Sequence, residues 1–170
     1  MDNIEIVSLT PNDWQLYRDL RLRALKEEPQ AFGSTYEENA KHSDKFWKDR
    51  LIDTLTKDTQ WLVFAKSSET LVGMVGAFVK DDPTVAHLIA MYVIPEFREA
   101  GVGKILMHAL IEKVKLNQQI KKITLHVNEK QEVAFNLYKN FGFTIVEKHR
   151  IALGDGKEHD VIELQFLLDK

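Results

Sequence analysis

Apolar positions along the chain change period several times, and each change marks an element. Alternation in IEIVSL from Ile4 predicts a first strand. Thr10 precedes Pro11, which suits an N-cap followed by proline in the first helical turn. Trp14, Tyr17, Leu20, Leu22 and Leu25 then give DWQLYRDLRLRALKEE one apolar side, and Pro29 ends it. QAFGSTYEENAKH reads as a loop with aromatic residues. Ser43 or Asp44 caps a second helix, DKFWKDRLIDTL, with Phe46, Trp47, Arg50 and Leu51 at helical spacing.

Three strand-like runs follow, QWLVFAK from Gln60, TLVGMVGAFV from Thr70 and TVAHLIAMYVI from Thr84. Only SSE and KDDP separate them, so they predict an antiparallel meander. From Val102, residues Ile105, Leu106, Ala109, Leu110 and Val114 return to a helical period. KKITLHV from Lys121 is a short strand, and EVAFNLYKNF a short helix closed by Gly142. TIVEKHRIAL and HDVIELQFLL form a last pair joined at GDGKE. The sum is an α/β fold: a mixed, mostly antiparallel central sheet of about seven strands flanked by about four helices.

Composition narrows this picture. The 170 residues are 44% hydrophobic and 29% charged, which suits a single domain over the whole of 1–170. A net charge of −3 disfavours nucleic acid as a partner. There is no cysteine, so disulfides, thiolate metal sites and a cysteine nucleophile are all excluded. The acidic opening MDNIEIVSLT is unlike a signal peptide, and no run has the ~18 apolar residues of a membrane span. A cytoplasmic protein with no membrane partner is expected, and a homodimer is left open.

The chemistry concentrates in PEFREAGVGKILMHAL, where two glycines stand between a strand and a helix. Glycine at a helix mouth allows a tight turn or close backbone approach to an anion held by free N–H groups. A nucleotide P-loop needs another glycine five residues before Gly103, and a dinucleotide fingerprint needs glycine where Leu106 stands. Taken alone, Gly101 and Gly103 fit an empty turn equally well.

Arg98-x-x-Gly101-x-Gly103 resembles the pyrophosphate-binding motif of the GCN5-related N-acetyltransferases, and AFNLYKNFGF resembles that family's A-x-x-L-Y-x-x-x-G-F stretch at Ala134, Leu137, Tyr138, Gly142 and Phe143. The order of elements is similar over nearly the whole chain. Two positions depart from the pattern. Glu99 stands where many relatives have glycine, and Gln131 where they have asparagine.

The resemblance implies acetyl-CoA as cosubstrate. The amides of Glu99, Ala100, Gly101, Val102, Gly103 and Lys104 would hold the pyrophosphate, with Arg98 and Lys104 as candidate charges. A bulge in the strand HLIAMYVIP would bring the main chain of Met91, Tyr92 and Val93 to the pantetheine and the acetyl carbonyl, with their side chains in the core. A backbone donor at that carbonyl is worth about 3 kcal/mol toward the oxyanion. Gln131 would need re-aiming to reach pantetheine. Tyr138 would be the general acid for the leaving thiolate, unless it is core.

A lysine-like amine is neutral in only about one molecule in 2,500 at pH 7, so a base matters for such an acceptor. Candidates are His87 on the central strand and Glu37 or Glu38 after the first helix; a structural histidine and solvated carboxylates are the competing readings. No H-E-x-x-H occurs, and His149 and His159 show no spaced carboxylate partner, so no metal is expected. The leading expectation is acetyl transfer to a small-molecule amine by direct attack. Acetylation of a peptide N-terminus or lysine, and a non-catalytic acyl-CoA-binding module, are the alternatives.

Overall fold

The computed structural model describes residues 3–169. Seven strands form one sheet: β1 (Ile4–Val7), β2 (Gln60–Ser67), β3 (Thr70–Val79), β4 (Val85–Val93), β5 (Lys122–Asn128), β6 (Thr144–Ala152) and β7 (Glu158–Leu167). Five helices accompany them: α1 (Trp14–Glu27), α2 (Tyr36–Ala40), α3 (Asp44–Thr56), α4 (Val102–Lys115) and α5 (Glu132–Asn140). The expected count of about four helices misses α2. It is five residues long, so it never shows a helical period, and sequence reads it as loop. Its start is nonetheless capped, since the Thr35 side chain accepts from the Glu38 amide.

Thr10 and Asp13 form a reciprocal capping box ahead of α1, through a 3-10 turn at Pro11–Asp13. Ser43 caps α3 by accepting from the Phe46 amide. The predicted meander is present, with β1, β2, β3 and β4 antiparallel in succession. The strand order β1-β2-β3-β4-β5-β7-β6 then departs from chain order, because β7 lies between β5 and β6.

Alternation decides the two faces. Phe64 of β2 meets Tyr17 of α1 at 5.6 Å, while the other face presents Gly73 to Leu106 and Val102 of α4. Val102, Leu106, Leu110 and Val114 of α4 are each at most 1% exposed, a stripe that buries against β2 and β3. Burying such a side chain stabilises by about 1.5–3 kcal/mol, and four at this spacing fix how α4 sits on the sheet. Ile105, one of the apolar positions from which the helix was read, lies toward solvent at 38% exposure.

The functional consequence lies between β4 and β5. They are parallel, joined through α4, and pair only where Val85, Ala86 and His87 meet Lys122, Ile123 and Thr124. Beyond His87 the two strands make no further pairs, so the sheet opens into a notch with β4 backbone along one side.

Candidate active site

The notch edge is distorted by a bulge. Across β3 and β4, Gly76 pairs with Ile89 and Met74 with Tyr92, so Ala90 and Met91 together face the single residue Val75. Ala90 has φ of +60°, rare for a residue with a Cβ and a source of about 1–2 kcal/mol of local strain. The resemblance implies a bulge in this strand and gives the main-chain contacts to Met91, Tyr92 and Val93; the left-handed residue that makes the turn is Ala90, immediately before them. An alanine carries no left-handed signature by which to find it.

The bulge also shifts side-chain parity. His87, Ile89 and Tyr92 all point to the α1 face, which lets the buried Tyr92 hydroxyl donate to the carboxylate of Glu27 at the end of α1. That bond, with the Arg23 guanidinium, holds the Glu27 carboxyl below the usual carboxylate range. Burial and the neighbouring carboxylate push the Tyr92 phenol up, so it remains a donor. Met91 and Val93 are half-buried against the core.

From β4 the chain passes a 3-10 turn at Pro95–Phe97 and enters the glycine loop. Glu99 has φ of +65° and Gly101 +82°, so left-handed residues recur in the loop, the arrangement that turns successive N–H groups into one concavity. Among the described residues, the amides of 99–104 meet no backbone acceptor. They stand at the positive end of α4. The left-handed Glu99 stands at the position where the resemblance leads to an expectation of glycine, and its side chain is exposed.

The two glycines serve different needs. Gly101 has the backbone conformation that favours glycine, and a Cβ there would meet nothing within 4 Å. A Cβ on Gly103 would lie 3.2 Å from Leu137 Cδ2, so Gly103 lets α5 approach α4.

Arg98 does not extend into the concavity. Its Nε donates to the Val93 carbonyl at 2.9 Å, and its guanidinium pairs with Glu28 at 2.8 Å. Arg23 pairs with Glu96 at 2.9 Å in the same region. Each exposed pair adds at most about 1 kcal/mol, but together they tie the end of α1 to the exit of β4 and orient the loop. Lys104, in the first turn of α4, is exposed.

Tyr138 follows Leu137 on α5, so the contact at Gly103 also sets where the phenol lies. It is 5% exposed, packs 5.9 Å from the Phe143 ring, and finds no hydrogen-bond partner for its hydroxyl among the described residues. Burial pushes its pKa up and keeps it protonated. Gln131 is the residue before α5, half-buried, and its side chain caps nothing.

The base candidates are not brought together. His87 is half-buried in the notch wall, its Nδ1 2.7 Å from Thr124 Oγ1 on β5. Glu37 is exposed on α2, and Glu38 lines a separate cavity between α1, α2 and α3.

Two histidines read as lacking carboxylates have them. His149 Nε2 lies 3.0 Å from both Glu147 and Glu163, and His159 Nε2 2.8 Å from Asp155. Glu163 is 14 residues from His149 and reaches it only through pairing of β6 with β7, which spacing does not reveal. His126 on β5, opposite Glu163, completes a group whose donor atoms lie within 4.8 Å of one another. The Glu163 carboxylate raises the His149 pKa, while burial lowers that of His126.

A family model described as "Acetyltransferase (GNAT) family" matches residues 17–143. N-acetyltransferase 8 of Homo sapiens is 34% identical over 83 residues, 46% of this chain and 36% of that protein, so the chain spans about a third of this curated relative. A GNAT-family acetyltransferase from Streptococcus pneumoniae superimposes with a TM-score of 0.87 at 19% identity, covering 98% of this chain and all of the other. The PaiA N-acetyltransferase of Thermoplasma acidophilum, solved with coenzyme A, superimposes at 0.72 with 20% identity, over 96% and 99% of the two chains.

Proposed function

From the premise that this chain belongs to the acetyltransferase (GNAT) family, we propose that it is an acetyl-CoA-dependent N-acetyltransferase acting on a primary amine of a small molecule. The observation that carries this reading is the row of unpaired amides over 99–104, beside a bulged strand edge that faces an open notch. Free N–H groups at a helix start suit a pyrophosphate. The unpaired β4 edge suits an extended chain bearing amides, as pantetheine does. The neighbour from Thermoplasma acidophilum was solved with coenzyme A, which agrees with this use of the fold.

In the proposed reaction the amine nitrogen attacks the thioester carbonyl, an N–C bond forms, and the C–S bond breaks. A backbone N–H at the bulge, near Met91, stabilises the oxyanion. Tyr138, kept neutral by burial, gives or shares its proton with the departing thiolate. For the proton of the amine we favour His87 over Glu37 and Glu38. Its Nδ1 is engaged by Thr124, which leaves Nε2 for proton transfer, and it lies on the strand that carries the bulge. Arg98 acts as a positioning residue through Val93 and Glu28.

Incubation with acetyl-CoA and a panel of amines, peptides and aminoglycosides, read by release of free thiol, tests the reading. Turnover with small amines supports it. Turnover confined to peptides would make it a peptide acetyltransferase, and CoA binding without turnover on any acceptor would make it a binding module.

A further inference from the structure

Away from the notch, a cavity of about 390 Å³ opens between α1, α2 and α3. Two arginines line it, Arg21 of α1 and Arg50 of α3, and neither pairs with a carboxylate among the described residues. Arg21 Nη1 is buried and bonded to nothing. The only other buried side-chain polar atom left without a partner among the described residues is Trp47 Nε1, on a residue 1% exposed that lines the same cavity.

Two orphaned donors on residues that line one cavity are hard to explain by stability. An uncompensated buried charge costs several kcal/mol, and a buried N–H left unbonded about 1–3. Burial pushes the Arg21 guanidinium below its usual range, and Arg50 pushes it the same way. The Arg21 guanidinium lies over the Phe32 ring at 5.1 Å, which orients it but brings no counter-charge. Glu38, the one carboxylate of the lining, pairs with neither arginine.

We propose that this cavity binds a small aromatic carboxylate, its anionic oxygens taken by Arg21, Arg50 and the Trp47 indole N–H. A planar guanidinium matches a carboxylate through paired N–H bonds. Beside Ser34, Glu38 and Asn39, the rest of the lining is aromatic: His42 stacks on Phe46 at 3.6 Å, and Trp47 stands edge-on to both Phe46 and Tyr17. The volume falls in the range of small-molecule pockets. No residue of the bulge or of the glycine loop lines it, so this site is distinct from the one assigned to acetyl-CoA and does not depend on that reading.

Tryptophan fluorescence and thermal shift with sodium benzoate test it, against neutral benzamide, cationic benzylamine and inorganic phosphate. The expected result is a saturable signal and a raised Tm with benzoate alone. No saturable response to benzoate, or an equal one to benzamide, overturns the proposal; a response to phosphate without benzoate also overturns it, in favour of a bare anion site. Arg21→Met removes the uncompensated charge, so the unliganded variant should melt at the same temperature or higher while losing the benzoate response. Arg50→Gln is a second variant, expected to weaken benzoate by about tenfold. Benzoate affinity unchanged in both would return the arginines to a structural role. Acetyl-CoA titration of the same samples reports separately on the other site.

Discussion

Tyr138 carries the clearest test at the level of one residue. The residue is 5% exposed and its phenol protonated, and the hydroxyl has no partner among the described residues, so replacing it with phenylalanine removes no hydrogen bond of the folded protein. Tyr138→Phe should therefore fold normally and bind acetyl-CoA as before, with kcat lowered by roughly 10- to 1,000-fold, the pattern of an interaction made only in the transition state. Steady-state kinetics with a separate binding titration checks this; unchanged turnover would leave the hydroxyl idle. Glu99 offers the opposite case, a residue at odds with its own backbone. Glycine there would relieve about 1–2 kcal/mol of left-handed strain and lose about 0.5–1 to chain entropy. Glu99→Gly is predicted to hold or raise stability by at most about 1.5 kcal/mol. It should also tighten CoA binding severalfold, because a carboxylate leaves the mouth of an anion site. Denaturant melts and CoA titrations read both effects, and weaker binding by a folded variant would mean that Glu99 itself assists.

At the scale of elements, α4 and α5 work as one unit. The sequence alone suggests that Gly103→Val blocks phosphate approach and leaves the fold untouched. The 3.2 Å approach of a Gly103 Cβ to Leu137 adds a packing cost, since valine would force α5 outward and Tyr138 with it. Overpacking of this kind costs about 1–3 kcal/mol. The variant should keep its far-ultraviolet circular dichroism, melt several degrees lower and lose CoA affinity. Adding Leu137→Ala should restore much of the melting temperature by making room, without restoring affinity to the same degree. If Gly103→Val melts like the parent, α5 is free to shift and the coupling is absent.

For the molecule as a whole, the notch between β4 and β5 is a gap in the one sheet on which everything else packs, and a ligand that bridges it binds only the folded chain. At a hundredfold excess over Kd this linkage contributes about 2.7 kcal/mol, or a rise of about 5–11 °C in Tm for a domain of this size. CoA and acetyl-CoA should give it and ATP or NADH should not; the reverse ranking would reject the acetyl-CoA assignment.

Nearly all element boundaries were legible in the hydrophobic pattern, because helices and strands bury faces with periods of 3.6 and 2. The meander was legible from its short connections, and the family from Arg98, Gly101, Gly103 and Tyr138 at their spacing. Hidden from the sequence were the left-handed Ala90, the pairing of Arg98 with Glu28, the contact of Gly103 with Leu137, and the pairing of His149 with Glu163. Each depends on strand register or on helices meeting across the fold, and spacing along a chain holds no record of either. The pattern by itself determined where the elements lie, in what order they run and most of the faces they bury, with Ile105 an exception. Which groups face one another, and which are left facing nothing, was decided only when tertiary packing brought distant segments together.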